Sequence, residues 1–251
     1  MNKYNFENIN EDEHVVPSLG VLSIKISDNY NFISKNLLLD FITDILMIPI
    51  ALILYLVAKI FLGFKVTGKE NFIKNRGVVT ISNHIHYIDC TLIGLITYPR
   101  RTFFPTLEEN FKIPVIRHLV KFLHGIPIPK SKKGKDKFYS DVIEELDNNV
   151  VLHMYPEESL WPYYEDVRSF KYGAFKISVL ANVPIVPIKF EFEEPSGIYK
   201  IYKRKKCIHA KILPAIYPNE KLEIRERISD LKEQSEKIMK EKINENINII
   251  L

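Results

Sequence analysis

The sequence is poor in cysteine and glycine, and these shortages exclude several classes of protein. Two cysteines, Cys90 and Cys207, are too few for a disulfide framework and fit a reducing compartment. Nine glycines without a three-residue repeat exclude a collagen-like chain or a Gly-rich linker. A net charge of +4 is too small to argue for a nucleic-acid partner. With 46% hydrophobic residues, the 251-residue chain can bury the core of one domain, with or without an added anchor.

One segment, residues 37–64, is much more apolar than the rest. Its charges are Asp40, Asp44 and Lys59, and residues 45–58 carry none. About 20 apolar residues can span a bilayer, whereas two aspartates on one helix face suit a helix lying in the interface. The segment therefore predicts a membrane anchor, either one span or a shallow helix pair, with a buried core helix as the alternative. If it spans, the basic residues that follow place the next domain on the cytoplasmic side.

The remaining chain alternates between strand-like and helix-like stretches, which predicts an α/β fold with a mixed or parallel sheet flanked by helices. Short apolar or β-branched runs predict strands over 77–82, 102–106, 125–128, 150–154, 184–192 and most of 199–213. Helical spacing predicts helices over 88–98, 107–123, 135–148 (preceded by Gly134 as a breaker), 171–182 and 220–244. The predicted segments are a polar N-terminal stretch 1–36, the anchor 37–64, an α/β domain 65–217 and an amphipathic C-terminal helix 218–251.

The densest group of reactive side chains follows the predicted strand 77–82 and begins a helix: Ser82-Asn83-His84-Ile85-His86-Tyr87-Ile88-Asp89. In α/β folds such junctions carry reactive groups. His84 can take up a proton at neutral pH, and Asp89, folding back from the first helical turn, can fix its tautomer. In the alternative, Asp89 caps the helix and His84 is merely polar.

His84, His86 and Asp89 also resemble a metal-ligand cluster. The acid lies three residues after the second histidine instead of two, and Cys90 stands where a further histidine belongs. Since no second cluster has metal-ligand spacing, we expect no metal.

Three further motifs lie at or near predicted strands. In Tyr155-Pro156-Glu157-Glu158-Ser159-Leu160-Trp161, Glu157 can accept a hydrogen bond from a substrate hydroxyl, and the later Arg168 and Lys171 can meet an oxyanion. Gly125-Ile126-Pro127-Ile128-Pro129-Lys130 enters a basic run. In Val183-Pro184-Ile185-Val186-Pro187 the prolines predict an edge strand or a bulge, with a packing role.

In this order the four motifs resemble the lysophosphatidate acyltransferase family, whose blocks read N-H-x-x-x-x-D, G-x-x-x-x-R, F-P-E-G-T-R-S and V-P-[IV]-[IV]-P. The resemblance covers about residues 60–217, and the first block matches in full at Asn83, His84 and Asp89. It implies the family's αβ acyltransferase domain with an N-terminal membrane-binding helical element, where residues 37–64 lie. It also implies that His84 is the general base, that Asp89 orients it, and that residues 65–217 are the catalytic domain.

The implied reaction moves a fatty acyl group from a thioester, on acyl-CoA or an acyl carrier protein, to the hydroxyl of lysophosphatidate. The thioester is already activated, so no cofactor or metal is expected. The expected partners are membrane lipids, the lysophospholipid acceptor and, for one type of donor, an acyl carrier protein. We expect the enzyme at the cytoplasmic face of a membrane.

The chain departs from the family pattern in two blocks. Lys130 replaces arginine, and Glu158, Ser159 and Leu160 replace the Gly-Thr-Arg of the third block, while Glu157 is retained. We therefore expect Arg168 or Lys171 to supply the missing cation. The full set of expected substrate-binding residues is Asn83, Gly125, Lys130, Glu157, Ser159, Arg168 and Lys171, with Pro156, Gly173, Pro184 and Pro187 as structural motif positions.

The altered third block keeps other functions open. The same chemistry on another lyso-lipid or on a glycolipid is the first alternative. A catalytically silent membrane module that keeps the fold is the second, and a metallohydrolase is the third.

Overall fold

The structure is a computed structural model, and it describes residues 26–28, 30–33, 36–111, 120 and 122–241. Within these residues seven strands form one mixed sheet in the order β1-β7-β6-β2-β5-β3-β4. All neighbouring pairs are parallel except β6 and β7, which are antiparallel. The strands are β1 (Lys65–Thr67), β2 (Val78–Ser82), β3 (Thr102–Leu107), β4 (Gly125–Ile128), β5 (Val151–Met154), β6 (Ile185–Glu193) and β7 (Cys207–Ile212).

Helices cover both faces of the sheet. The α-helices are α1 (Leu37–Val57), α2 (Asp89–Thr97), α3 (Lys132–Leu146), α4 (Gly173–Leu180), α5 (Tyr199–Tyr202) and α6 (Ile224–Lys240). A π-helical segment, Ala58–Leu62, continues α1, and 3-10 turns lie at Lys69–Asn71 and Glu108–Phe111. The predicted α/β fold with a mixed sheet flanked by helices is confirmed.

Strand β2 lies at the centre of the sheet, and each of its five residues is buried. On one face, Val79 and Ile81 pack in a cluster with side chains of α3, α4 and α6. On the other face, Val78 packs with α2 and with Ala58 at the end of α1. A strand covered on both faces needs a nearly continuous apolar run, and the sequence Val-Val-Thr-Ile-Ser provides one.

Most predicted elements are confirmed, and the differences have local causes. The stretch 199–213 is strand only over Cys207–Ile212, because its first part forms the short helix α5. Gly134 does not precede a helix but lies in the first turn of α3, whose cap is Ser131, with Oγ accepting the Gly134 N–H at 3.0 Å. Strand β1 was not predicted. The helix expected over 107–123 begins as the 3-10 turn Glu108–Phe111, and residues 112–119 and 121 lie outside the described residues.

The prolines predicted an edge strand or a bulge, and the edge position is wrong, because β6 lies between β2 and β7. Regular pairing of β6 with β7 begins at Ile188, opposite Ile212, one residue after Pro187. Beyond Pro187 the contact resumes only as an isolated bridge between Ile185 and Ile216. The Pro187 carbonyl still accepts the Leu213 N–H at 2.9 Å, but proline has no N–H to return the bond, so regular pairing with β7 stops at this position.

The apolar segment forms one continuous helix and not the helix pair that was one of two predicted anchors. By length and composition, residues Asp40–Leu62 could cross a membrane. Only 11% of the apolar 18-residue stretch within this helix is buried. The alternative of a buried core helix is therefore wrong. Ala51 and Ala58 face the domain, while large apolar side chains such as Phe41 and Leu52 face outward.

Helix α1 is attached to the domain near both of its ends. Near its start, Arg101 donates to Asp40 at 2.8 Å and to Asp44 at 3.0 Å. Beyond its end, the Tyr202 hydroxyl donates to the Ile60 carbonyl at 2.9 Å, and Lys203 Nζ donates to the Phe61 carbonyl at 2.7 Å. The helix therefore lies along the domain.

The burial of His153, in the centre of β5, predicts how the stability of this fold depends on pH. Its Nδ1 lies 2.9 Å from Thr80 Oγ1 and its Nε2 lies 3.3 Å from Ser82 Oγ. Burial, reinforced by the nearby His84, lowers the pKa of His153 from 6.5 to about 3. The unfolded chain therefore binds a proton at this residue below pH 6.5 that the folded protein does not bind.

We expect the free energy of unfolding to fall as the pH drops from 6.5 towards 3, with His153 contributing up to about 1.4 kcal/mol per pH unit. Denaturant unfolding of the wild type and of His153→Asn at a series of pH values measures this contribution. The asparagine does not titrate, so the variant should lose less stability on acidification. Equal losses in the two proteins would show that His153 is not the responsible group.

Candidate active site

His84 and Asp89 lie together in the loop between β2 and α2. His84 Nδ1 is 3.1 Å from Asp89 Oδ2, and the same oxygen accepts the main-chain N–H groups of Ile85 and His86, each at 2.8 Å. Asp89 is the first residue of α2 and is buried, while the cap position is Ile88. The carboxylate thus folds back on the loop, and the alternative in which it only caps the helix is wrong.

This contact decides which nitrogen of His84 can act as a base. An ionised carboxylate only accepts hydrogen bonds, so Nδ1 carries the proton that is donated to Asp89. Nε2 is then the unprotonated nitrogen and can take up a proton from another molecule. The His84 side chain is 22% exposed, whereas that of Asp89 is fully buried. The arrangement suits general-base catalysis on a group that approaches from solvent.

The imidazole of His84 stacks on the ring of Tyr155, with the centroids 3.8 Å apart and the planes 17° apart. On its far side Tyr155 contacts His153 edge to face, at 4.6 Å. The Tyr155 hydroxyl is buried and has no hydrogen-bond partner among the described residues. Burial raises the pKa of Tyr155 well above its ordinary value. Tyr155 was not among the predicted site residues, although an aromatic residue at a strand end next to Pro-Glu is the signal that could have identified it.

The segment after β5 also holds the main chain of His84. Glu157 Oε2 accepts the His84 N–H at 3.2 Å, and the Trp161 N–H donates to the His84 carbonyl at 3.0 Å. The Tyr163 N–H donates to the Ile85 carbonyl at 2.8 Å. The segment 155–168, which contains the diverged third motif, therefore holds the first motif in place through contacts with both the ring and the backbone of His84. We call this segment the clamp.

The clamp is built around a buried ion pair. Arg168 Nη2 lies 2.9 Å from Glu157 Oε2, and Arg168 Nη1 donates to Ser159 Oγ at 2.7 Å. The guanidinium also lies 4.6 Å from the centre of the Trp161 ring. Burial raises the pKa of Glu157, and the charge of Arg168 opposes that rise. The polar groups of Glu157, Ser159 and Arg168 thus bind one another inside the fold, and the expected contact of these residues with substrate stays a prediction.

Asn83, also expected to bind substrate, has a positioning role in this structure. It is fully buried, and its side-chain amide donates to the Phe190 carbonyl at 2.9 Å and accepts the Phe190 N–H at 2.8 Å. These bonds extend the pairing of β2 with β6 beyond Ser82. They hold the chain at the point where it leaves the sheet towards His84.

The second motif lies apart from His84, at the end of β4. Three strand spacings separate β4 from β2, about 14 Å. A side chain at Gly125 would place its Cβ 2.3 Å from Val120 Cγ1, so this glycine permits a close packing contact. Lys130 is exposed, and its Nζ is 2.5 Å from Glu109 Oε1. The structure does not bring Gly125 or Lys130 together with His84.

Lys171, another of the predicted residues, is exposed and lies three positions after Arg168. Its N–H donates to the Pro156 carbonyl at 2.8 Å, which places it beside the turn that carries Tyr155. Gly173 begins α4, where a Cβ would lie 3.5 Å from Met154 Cε, an ordinary contact. The Pro184 carbonyl accepts the Val79 N–H at 3.0 Å, so the fourth motif has a role in the sheet.

His86 turns towards a different neighbour from His84. Its ring lies edge to face against Tyr163, with centroids 5.5 Å apart. Burial lowers the pKa of His86, and the negative charge of Asp89 opposes the effect. In the part of the chain that the structure describes, no three His, Cys, Asp or Glu side chains are grouped to hold a metal ion.

Comparison with known proteins gives consistent results. A family model described as Acyltransferase matches residues 63–191. An uncharacterized acyltransferase of Schizosaccharomyces pombe is 27% identical over 174 residues, 58% of this chain and 58% of that protein. The 1-acyl-sn-glycerol-3-phosphate acyltransferase of Saccharomyces cerevisiae is 27% identical over 146 residues, 53% of this chain and 45% of that protein. The chain thus spans about half the length of these curated relatives.

A solved structure shares the fold. The 1-acyl-sn-glycerophosphate (LPA) acyltransferase PlsC from Thermotoga maritima aligns with a TM-score of 0.53 and 21% sequence identity. The alignment covers 84% of this chain and 86% of that one.

The stack of His84 on Tyr155 predicts opposite results for two substitutions. Tyr155→Phe keeps the ring and removes a buried hydroxyl without a partner, so activity and thermal stability should change little. Tyr155→Ala removes the support of the imidazole, and we expect activity to fall about 10-fold or more, with lower stability. Turnover and thermal unfolding of both variants measure these effects. A large loss of activity in Tyr155→Phe would show that the hydroxyl, and not the ring, is the required group.

Proposed function

The chain belongs to the acyltransferase family, and we propose that this enzyme transfers a fatty acyl group from an acyl thioester to the free hydroxyl of lysophosphatidate to form phosphatidate. The observation that carries the proposal is the 3.1 Å contact of His84 with the buried Asp89 at the end of the central strand. The name of the yeast relative, a 1-acyl-sn-glycerol-3-phosphate acyltransferase, supports the acceptor.

His84 acts as the general base in the proposed reaction. Its Nε2 takes the proton of the acceptor hydroxyl as the oxygen attacks the thioester carbonyl carbon. The tetrahedral intermediate then collapses, the carbon–sulfur bond breaks, and the proton on Nε2 passes to the departing thiolate. Asp89 holds the imidazole through Nδ1 and offsets its positive charge while it is protonated. A thioester is already activated, so the proposed chemistry needs neither a cofactor nor a metal, and acyl-CoA or an acyl carrier protein supplies the acyl group.

The phosphate of the acceptor requires a cation near the site. Leu160 stands where the family has arginine, and Arg168 is buried in its pair with Glu157. Lys171 is exposed beside the turn that carries Tyr155, so we assign the phosphate contact to Lys171. Lys130, three strands from β2 and paired with Glu109, has a secondary role in this proposal.

The buried state of Arg168 also favours a second candidate function. An enzyme without the third-motif cation binds a phosphate monoester through fewer contacts, which suits another lyso-lipid or a glycolipid as acceptor. The chemistry at His84 is the same for both candidates, so only the acceptor distinguishes them.

We place the enzyme on the cytoplasmic face of a membrane, with α1 in the plane of the interface. A helix that crosses a bilayer places its ends about 30 Å apart on opposite sides. Here Asp40 and Asp44 near one end and Ile60 and Phe61 beyond the other contact the same domain. That domain lies on one side of the membrane, so α1 lies flat, with its exposed apolar face in the lipid.

Lipid mass spectrometry of an acceptor panel with purified protein tests the proposed function. The panel contains lysophosphatidate, other lysophospholipids and a glycolipid, each with acyl-CoA and with acyl carrier protein as donor. We expect acylation of lysophosphatidate, and a loss of about 10²–10⁴-fold in His84→Ala. Tyr155→Phe serves as the matched control for a change next to the ring. Equal turnover by His84→Ala would remove the proposed base, and product from the other acceptors alone would favour the second candidate.

The assignment of the phosphate contact predicts different effects for two lysines. Lys171→Ala should raise the Michaelis constant for lysophosphatidate about 10-fold or more, since a hydrogen bond to a charged group is lost. Lys130→Ala should raise it less, and neither variant should affect a neutral acceptor. Steady-state kinetics with both acceptor types measure this. A larger effect from Lys130→Ala would transfer the phosphate contact to the second motif.

A further inference from the structure

The connection between β6 and β7, residues 194–206, exposes large apolar side chains. Ile198 is 68% exposed and Ile201 is 83% exposed, one just before and one within the short helix α5. Tyr202 follows at 51%. Together Ile198, Ile201 and Tyr202 form what we call the hairpin patch. Three such side chains within five residues are unusual on a surface that contacts only water.

The hairpin patch is continuous with the outer face of α1. The hydroxyl of Tyr202 donates to the Ile60 carbonyl, and Lys203 donates to the Phe61 carbonyl. The side chains of Ile60 and Phe61 are themselves 51% and 68% exposed. Gly63 makes this approach possible, because its φ of +60° turns the chain and a Cβ there would lie 2.3 Å from Cys207 Sγ. The patch therefore extends the apolar surface of α1 beyond the end of the helix.

Basic side chains border the patch on the same connection. Lys200, Arg204 and Lys205 are exposed and have no ion-pair partner within the described residues. Lys206 is paired with Glu165 at 2.5 Å, and the exposed Glu194 is a further nearby carboxylate. Isoleucine and tyrosine next to exposed cations match the two layers of an anionic bilayer surface, the acyl chains and the headgroups.

The connection starts at the carboxyl-terminal end of the strands, which is the same edge of the sheet at which His84 lies. Strands β2 and β6 are parallel, so their carboxyl ends lie at the same edge, and the connection begins where β6 ends. Tyr163 links the two regions, because its ring contacts Phe192 near the end of β6 at 5.6 Å and His86 at 5.5 Å. A membrane that covers the patch therefore lies next to the candidate active site.

We propose that the β6–β7 connection is a second membrane contact, in which the hairpin patch enters an anionic lipid surface beside α1 and turns the His84 edge towards the bilayer. The proposal rests on the membrane association argued above, but it concerns binding and can fail or hold whatever acceptor the enzyme uses. A lipid surface accounts for the cations as well as for the isoleucines. A second copy of the chain accounts only for the apolar side chains.

Vesicle flotation of the full chain tests the proposal. The vesicles contain phosphatidylcholine, alone or with about a quarter of phosphatidylglycerol. The double variant Ile198→Ser, Ile201→Ser should bind both kinds about 10-fold or more weakly than the wild type, with residual binding through α1. The triple variant Lys200→Gln, Arg204→Gln, Lys205→Gln should bind anionic vesicles more weakly and neutral vesicles equally. Its remaining binding should be less sensitive to salt.

Ile224→Ser is the matched control. Ile224 is an exposed isoleucine, 54% accessible, at the start of α6, and that helix packs on the opposite face of the sheet from α1. We expect this variant to bind vesicles like the wild type. All replaced side chains are exposed, so thermal unfolding should be unchanged, and this measurement checks folding.

The remaining outcomes separate the proposal from its competitors. Wild-type vesicle binding by the double variant, or an equal loss in Ile224→Ser, would overturn it. So would a change from dimer to monomer with unchanged vesicle binding, since the patch would then join two chains. Loss of turnover on vesicle-embedded acceptor together with weaker binding supports the proposal. Absence of acyl transfer in the wild type would contradict the proposed function and leave the binding result in force.

Discussion

The site depends on the hydrogen bonds that the carboxylate of Asp89 accepts. A single buried oxygen accepts from the His84 ring and from two main-chain N–H groups, so it sets the loop conformation and the tautomer of His84 together. The arrangement is compact because donor and acceptor lie five residues apart, across the junction of a central strand and a helix. The loop itself does not hold the face of the His84 ring or the carbonyl groups of its backbone. Contacts from another segment are therefore needed to fix them.

That support comes from the part of the sequence that departs most from the family. The segment after β5 contacts the ring of His84 through Tyr155 and its backbone through Glu157 and Trp161. Removing charged groups from water has a high cost unless they are paired, and the pair of Glu157 with Arg168 meets that condition inside the turn. Where the family pattern has Gly-Thr-Arg, this chain has a segment built around a buried ion pair. Because Arg168 is engaged with Glu157 and Ser159, the proposed function assigns the phosphate contact to the exposed Lys171.

The position of α1 is related to the position of the site, because both are set by the ends of the strands. The helix begins near the amino end of β3, where Arg101 holds it, and ends near the start of β7, at the edge of the sheet that carries His84. A helix attached in this way brings one end of its apolar face near the end of the sheet that carries His84. A lipid substrate that enters from the same surface has a short path to the imidazole.

Strand and helix patterns in the sequence determined the α/β class, most element positions and the pairing of His84 with Asp89, because these depend on contacts over a few residues. Tertiary structure alone decided the strand order, the internal position of β6 despite Pro187, and the partners of Arg168, Asn83 and Tyr155. Each of these depends on contacts between segments far apart in the sequence: Asn83 bonds to Phe190 on the neighbouring strand β6, and Arg168 is buried only because the turn folds over it. The residue types at these positions suit both solvent and substrate, so composition and spacing cannot distinguish a binding role from a supporting one. Burial distinguishes them, and burial is a property of the folded chain.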